Sequence, residues 1–399
     1  MVMAFYHTKM CRNKISRDEV DRLPSKDRVS DLDIAGFVIS IISHIVDVGL
    51  DCNLAYRYYA NNHIECFLAT LAFILVPALI NTAISIRMYV MDQNEKPKTT
   101  LTKKFTKRGV CCLLVLVFQL APILRYFDAL RYALKSRNAE KSGDFECQRK
   151  YYELMVKEDS DVALLRVLEC FLEAAPQQIL QLGIIFNTHG KGIHGFTFVH
   201  QLLSIGSSFV SMAWSMASYQ RLLRVSLNDK NNISWAGTII QFMWHFLVTV
   251  SRILCISVIS SIYLNYTVLG LFVHWLVMTI WLHIGTTETN FCNKNKIYDS
   301  ALFAIFGMVY IFTYVNLTEG KTFIKYLFFY LILFFENTIA NVFWILERDT
   351  ELMTTLYYKP VIYLNIIPFI LGIIFMILYY KVFHPSTGYT VGRSRQDMS

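Results

Sequence analysis

Apolar stretches of 18 or more residues recur from Ile34 to Phe383, and this repetition restricts the fold more tightly than any other feature of the chain. Each such stretch is long enough to carry an α-helix across the hydrocarbon core of a bilayer. Inside that core every backbone amide needs an internal partner, which leaves helices as the economical solution for runs of this length. Composition agrees: 54% of the 399 residues are hydrophobic and 17% are charged, against about 25% charged in ordinary soluble domains. The pattern predicts an all-α, polytopic membrane helix bundle.

Apolar segments fall at about 34–56, 64–90, 110–124, 163–186, 197–219, 236–263, 267–285, 299–316, 323–346 and 361–383. Segment 110–124 is short, contains Pro122 and is flanked by basic residues on both sides, so a partial insertion is expected there. Lys96, Lys98, Lys103, Lys104, Lys107 and Arg108 mark the preceding stretch as cytosolic. The tail, with Lys381, Arg393 and Arg395, reads the same way. Both termini inside the cell demand an even number of crossings. Segment 323–346 is therefore taken as a second partial insertion, leaving about eight full spans. The domain reading is a cytosolic arm 1–33, a transmembrane region 34–383 with a charged cytosolic connector at 138–160, and a short cytosolic tail 384–399. Residues 1–33 are polar and mixed in charge, unlike a cleavable signal peptide.

Ionisable residues run through these apolar segments. Asp33, Asp47 and Asp51 are spaced by 14 and 4 residues, which at 100° per residue keeps all three within about 40° of one face. Along the fourth segment Arg166, Glu169, Glu173, Gln177 and Gln181 recur every three or four residues, with Pro176 breaking the hydrogen-bond ladder inside the stripe. Arg125, Arg221, Arg252 and Glu336 add charge in or beside other segments. An ionised group at the bilayer centre costs on the order of 3 kcal/mol, so charges in these numbers point to a hydrophilic path or to internal pairs that fix helix packing.

Other chemistry is thinly represented. Nine cysteines show neither CxxC nor a zinc-like His/Cys spacing, so no metal or other cofactor is expected. Cys111 and Cys112, beside the basic stretch, suit core packing or palmitoylation. HExxH, P-loop and GxSxG motifs do not occur, and Gly190–Gly195 lacks the strand-turn-helix setting of a nucleotide loop, so an enzyme is not expected. The net charge of +8 acts on topology rather than on nucleic acid. Sequons at Asn232, Asn265 and Asn316 carry little weight before sidedness is known.

At LRVLECFLEAAPQQILQL the chain resembles the XK-related family of membrane proteins. The resemblance continues at residues 212–230, 314–322 and 378–385, and at Asp47-Val48-Gly49-Leu50-Asp51, and it covers about residues 30–385. It implies two pseudo-repeats of four helices, eight spans and two partly inserted helices. It further implies ATP-independent phospholipid scrambling, exposing phosphatidylserine at the plasma membrane as an engulfment signal in apoptosis, and intramembrane charges at Asp33, Asp47, Asp51, Arg125, Glu169, Glu173, Arg221, Arg252 and Glu336. Ser218 precedes Tyr219 where many family members carry an acidic residue, which puts any carboxylate partner of Arg221 in doubt. Asp18-Glu19-Val20-Asp21 in the arm has the form of an effector-caspase site cut after Asp21, an arrangement that suggests a cell-death branch of the family. The expected partners are phosphatidylserine and other phospholipids, an effector caspase, and a single-pass accessory subunit, with no nucleic acid. Two further readings of the same residues stay open: an ion-coupled solute transporter, and a membrane anchor for a peripheral lipid-transfer protein.

Overall fold

A computed structural model describes residues 28–91, 120–187, 196–226, 232–285, 296–316, 322–346 and 357–385. The Asp18–Asp21 motif, the basic stretch with Cys111 and Cys112, most of segment 110–124 and nearly all of the tail lie outside these residues. Among the described residues eleven α-helices and two π-turns follow one another, with no strand.

In chain order these are α1 (Asp31–Ala60), α2 (Ile64–Met91), α3 (Ala121–Lys141), α4 (Phe145–Glu169), a π-turn (Cys170–Ala174), α5 (Ala175–Asn187) and α6 (Phe196–Ser226). They continue as α7 (Trp235–Ile262), α8 (Leu264–Gly285), α9 (Lys296–Val309), α10 (Thr322–Leu346), α11 (Tyr358–Leu378) and a closing π-turn (Tyr379–Phe383). Two long helices, a shorter one and two more long rods thus occur twice, with α4, the π-turn and α5 counting as one continuous rod and α11 with its closing π-turn as another.

Local chemistry explains the boundaries. Ser30 and Asp33 close a capping box at the start of α1, the Ser30 hydroxyl accepting from the Asp33 amide and the Asp33 carboxylate from the Ser30 amide. Gly143, at φ 75°, makes the left-handed turn between α3 and α4. Asp144 then accepts the Cys147 amide hydrogen, and this contact holds its carboxyl below the usual range. The charged connector expected at 138–160 is therefore a tight helical hairpin. Pro176 lacks an amide hydrogen, and the chain absorbs the loss one turn earlier: the Ala175 amide reaches back five residues to the Cys170 carbonyl. The expected break is a π-turn inside an unbroken rod.

Among the described residues six helices combine length with apolarity: α1, α2, α7, α8, α10 and α11. The α4–α5 rod and α6 are as long but more polar. This corrects one expectation. At 25 residues α10 reaches about 37 Å, ample for a ~30 Å core, whereas the 14 residues of α9 reach about 21 Å. The short member of the second half is α9, in the position that α3 holds in the first.

Helix α7 lies at the centre and packs against α5, α6, α8, α10 and α11. Its Trp244 is fully buried among the rings of Tyr326, Tyr330, Tyr379 and Tyr380, with centroids 5.0–6.3 Å away. Outside this core α8 presents an apolar surface: Leu269, Phe272, Leu276 and Ile280 stand about half exposed in a row that only lipid or another apolar face could cover. The chain is a multi-pass membrane protein.

Two contacts here have measurable consequences. A methyl group on Gly372 of α11 would sit 2.6 Å from Val248 Cγ2 and 3.3 Å from the Trp244 carbonyl, so α7 and α11 cross as closely as they do because residue 372 has no side chain. Gly372→Ala is expected to cost about 1–3 kcal/mol and Gly372→Leu to prevent the crossing; thermal unfolding in detergent, read by size exclusion, checks both. At the end of α11, Arg224 Nη2 donates to His384 Nε2 at 3.0 Å. Burial, with the Arg224 charge adding to it, pushes His384 from 6.5 down to about 4. Between those values the unfolded chain binds a proton that the folded site refuses, so stability falls as pH drops from about 6.5 to about 4. His384→Gln keeps an acceptor for Arg224 and should flatten that slope in melts taken across the window.

Candidate functional site

The charges gather into three groups, each centred on an arginine. The first lies where α1 faces the α4–α5 rod. His44, Asp47 and Asp51 occupy one face of α1 at i, i+3 and i+7, and Arg166, Glu169 and Glu173 repeat that spacing across the gap. His44 Nδ1 is 3.1 Å from Glu169 Oε1, and Arg166 Nη2 lies 3.6 Å from Asp47 Oδ2 and donates to Ser211 Oγ of α6 at 3.2 Å. Asp51 faces Glu173 and Gln177 one level further along. Glu173 and Gln177 are buried, Gln181 continues the stripe half-buried, and the neighbouring Gln178 donates to Ser208 of α6 at 3.0 Å. Carboxylates outnumber cations along this seam, and Asp47 keeps about half its side chain exposed.

Arg125 forms the second group, wholly buried between α2, α3 and α4. Its guanidinium donates to Glu158 at 2.9 Å, Asp161 at 3.2 Å, and the Ser85 hydroxyl and carbonyl, each at 2.9 Å. It also stacks 4.0 Å over the Tyr89 ring, whose hydroxyl donates to Asp128 at 3.0 Å. This ring of bonds ties the α3–α4 hairpin to α2 rather than facing the seam.

The third group belongs to the second half. Arg252 of α7 donates to Glu336 of α10 at 2.6 Å, to Asn337 at 3.0 Å and to the Ile311 carbonyl at 2.9 Å. His274 of α8 meets the Tyr310 carbonyl through Nε2 at 3.0 Å and Glu336 Oε1 through Nδ1 at 2.7 Å. A carbonyl only accepts, so Nε2 carries a hydrogen, and a second hydrogen has to lie between the imidazole and the carboxylate. Asn341 and Asn365 extend the network, Asn365 donating to Asn341 at 2.9 Å. Arg252 and Glu336 line a cavity of about 630 Å³ between α7, α8 and α10, with Tyr263, Tyr266 and Phe343 also in its wall; His274 and Glu336 line an adjoining hollow of about 460 Å³.

Two expected residues stand apart. Asp33 serves the α1 cap and does not join Asp47 and Asp51. Arg221 donates to the Ile233 carbonyl at 3.1 Å and lies 4.0 Å over the Trp235 ring, while Ser218 turns its hydroxyl back to the Trp214 carbonyl. Sequence reasoning passed over His44, Asp128, Glu158, Asp161, His274 and Asn337. His44 was within reach, since it extends the aspartate spacing by one turn. Glu158 falls within the charged connector, and Asp161 lies just past its end.

A bundle of apolar helices whose internal charges answer one another, with a polar seam in one half and a polar-floored cavity in the other, defines a multi-pass membrane protein built to hold ionised groups inside the bilayer. The match to the family described as XK-related protein runs from residue 35 to 385, and the chain belongs to that family. It is similar to Cell death abnormality protein 8 of Caenorhabditis briggsae, at 29% identity over 382 residues that cover 92% of this chain and 81% of the relative. Its similarity to Cell death abnormality protein 8 of Caenorhabditis elegans is also 29%, over 395 residues, 95% of this chain and 84% of the relative.

Arg125 provides a test of how these charges are held. Removing one partner of a buried pair leaves the others uncompensated, at about 3–5 kcal/mol. Arg125→Ala should therefore abolish recovery of folded protein from detergent, while Arg125→Met combined with Glu158→Gln and Asp161→Asn should restore much of it by size exclusion.

Proposed function

We propose that the protein is an ATP-independent phospholipid scramblase of the plasma membrane that exposes phosphatidylserine in dying cells, with both termini cytosolic. The observation that carries this reading is the α1/α4–α5 seam, where His44, Asp47 and Asp51 meet Arg166, Glu169, Glu173 and Gln177. A headgroup crossing hydrocarbon unaided meets the same desolvation cost as a buried charge. A track of carboxylates, an arginine and amides along the seam offers it replacement hydrogen bonds, while its acyl chains remain in lipid. The Arg252–Glu336 cavity would receive headgroups in the second half. The name shared by the two nematode relatives supports a cell-death setting, and membership of the XK-related family supports a membrane role.

In this reading the arm holds the track closed until an effector caspase cuts after Asp21, with Arg22 following the cut. The exposed apolar row on α8 is a surface that a single-pass accessory subunit would fit.

Reconstitution in liposomes carrying dithionite-quenchable lipids tests both steps. The cut protein should let dithionite reach lipids of both leaflets, and the uncut protein or an Asp21→Ala variant should not. Equal exchange before and after cutting would overturn the switch, and no exchange in either state would overturn the lipid path. Glu169→Gln and Glu173→Gln should each slow exchange about tenfold or more, because recovering even half of the ~3 kcal/mol cost of a charge in the bilayer amounts to that factor.

A further inference from the structure

The chain enters α1 through a short segment bound to the α3–α4 hairpin at three points. Arg28 Nε lies 2.7 Å from Glu140 Oε1, Arg137 pairs with Asp31, and Val29 between them is buried. Val29 belongs to a second hydrophobic cluster, separate from the main core, in which Phe37 of α1 packs with Tyr126, Ala129 and Tyr132 of α3 and Tyr152 of α4. Helix α1 itself packs chiefly along α2 and α3. Toward the α4–α5 rod it presents His44, Asp47 and Asp51, so its hold on the polar stripe is largely electrostatic.

We propose that Arg28–Glu140 and Asp31–Arg137 form a clamp that positions α1 over the stripe and so sets how readily the seam opens. Its functional consequence rests on the lipid-path reading given above. The clamp works by leverage. Asp51 lies 20 residues beyond Asp31, about 30 Å along a rigid helix, so a 10° swing at the clamp moves Asp51 by about 5 Å. That displacement is enough to part Asp51 from Glu173 and Gln177 and to admit water or a headgroup.

The hairpin is a firm anchor, because Arg125 bonds α3 to α2 and α4 from within. The ion pairs are the adjustable part. Arg28 is 59% exposed and Glu140 26%, and exposed pairs are worth little, so they bias an equilibrium without locking it. A cut after Asp21 leaves Arg28 and Asp31 joined to α1. The clamp therefore acts as a set-point that persists after cleavage, and Arg28, Asp31, Arg137 and Glu140 are positioning residues.

The experiment compares the full chain with Arg28→Glu, with Glu140→Arg and with both together. Each is reconstituted in phosphatidylcholine–phosphatidylserine vesicles containing a dithionite-quenchable lipid, before and after caspase treatment. In parallel, spin labels at Tyr59→Cys on α1 and Asn187→Cys at the end of α5, in a background without native cysteines, report the width of the seam. Each single reversal should raise exchange in the cut protein by about two- to fivefold, the range open to an exposed pair. Each should also broaden the 59–187 distance distribution, and the double swap should restore both readouts. Unchanged distances in the single variants, or a swap that restores neither, would overturn the clamp. Distances that respond as expected while no form exchanges lipid, cut or uncut, would leave the clamp standing and overturn the lipid path.

Discussion

A charge placed in hydrocarbon has to bring its own solvent, and in this protein that solvent is other side chains. Arg125 shows the requirement at its most complete: two carboxylates, a hydroxyl, a backbone carbonyl and an aromatic face surround a guanidinium with no exposed surface. The guanidinium or either carboxylate stranded there alone would cost several kcal/mol. Burial of the set is what joins α2 to the α3–α4 hairpin, and that hairpin in turn holds the entrance to α1. The arrangement of the first half thus depends on one satisfied cation.

The two halves answer the same electrostatic demand in different ways. In each, a glutamate on the third long rod meets a histidine from a neighbouring helix and an arginine close by. Glu169 takes His44 from α1, with Arg166 one turn away on its own rod; Glu336 takes His274 from α8 and Arg252 from α7. The first group lies open along a seam with carboxylates in excess. The second lies at the floor of a cavity and continues into a network of asparagines. A seam suits passage and a network beside a cavity suits holding, and the proposed lipid path draws on that difference.

Arg221 shows how a cation is held without a carboxylate. It sits at the α6–α7 junction, where a carbonyl and the face of Trp235 take the place of an anion. The hydroxyl of Ser218, bonded to its own helix, leaves no stranded polar atom behind.

The class of protein was legible in the residue order, because runs of apolar residues as long as a bilayer is thick leave helices as the only solution, and the spacing of Asp47 with Asp51 and of Arg166 through Gln181 fixes which residues share a face. Pro176 announced a break for the same reason, a missing amide hydrogen that no neighbour can replace. Periodicity stops at the surface of one helix, however. It placed Asp33 on the face of Asp47 and could not show that its carboxylate is spent on the Ser30 cap. It judged segment 323–346 by charge parity, where the folded lengths of α9 and α10 exchange their roles. Pairings such as His44 with Glu169, Arg125 with Glu158, and Glu336 with both Arg252 and His274 join residues 33 to 125 positions apart. Only the packing of whole helices decides them, because the cost of a buried charge is met by whichever partner the fold brings within 3 Å, and not by the residue next to it in the chain.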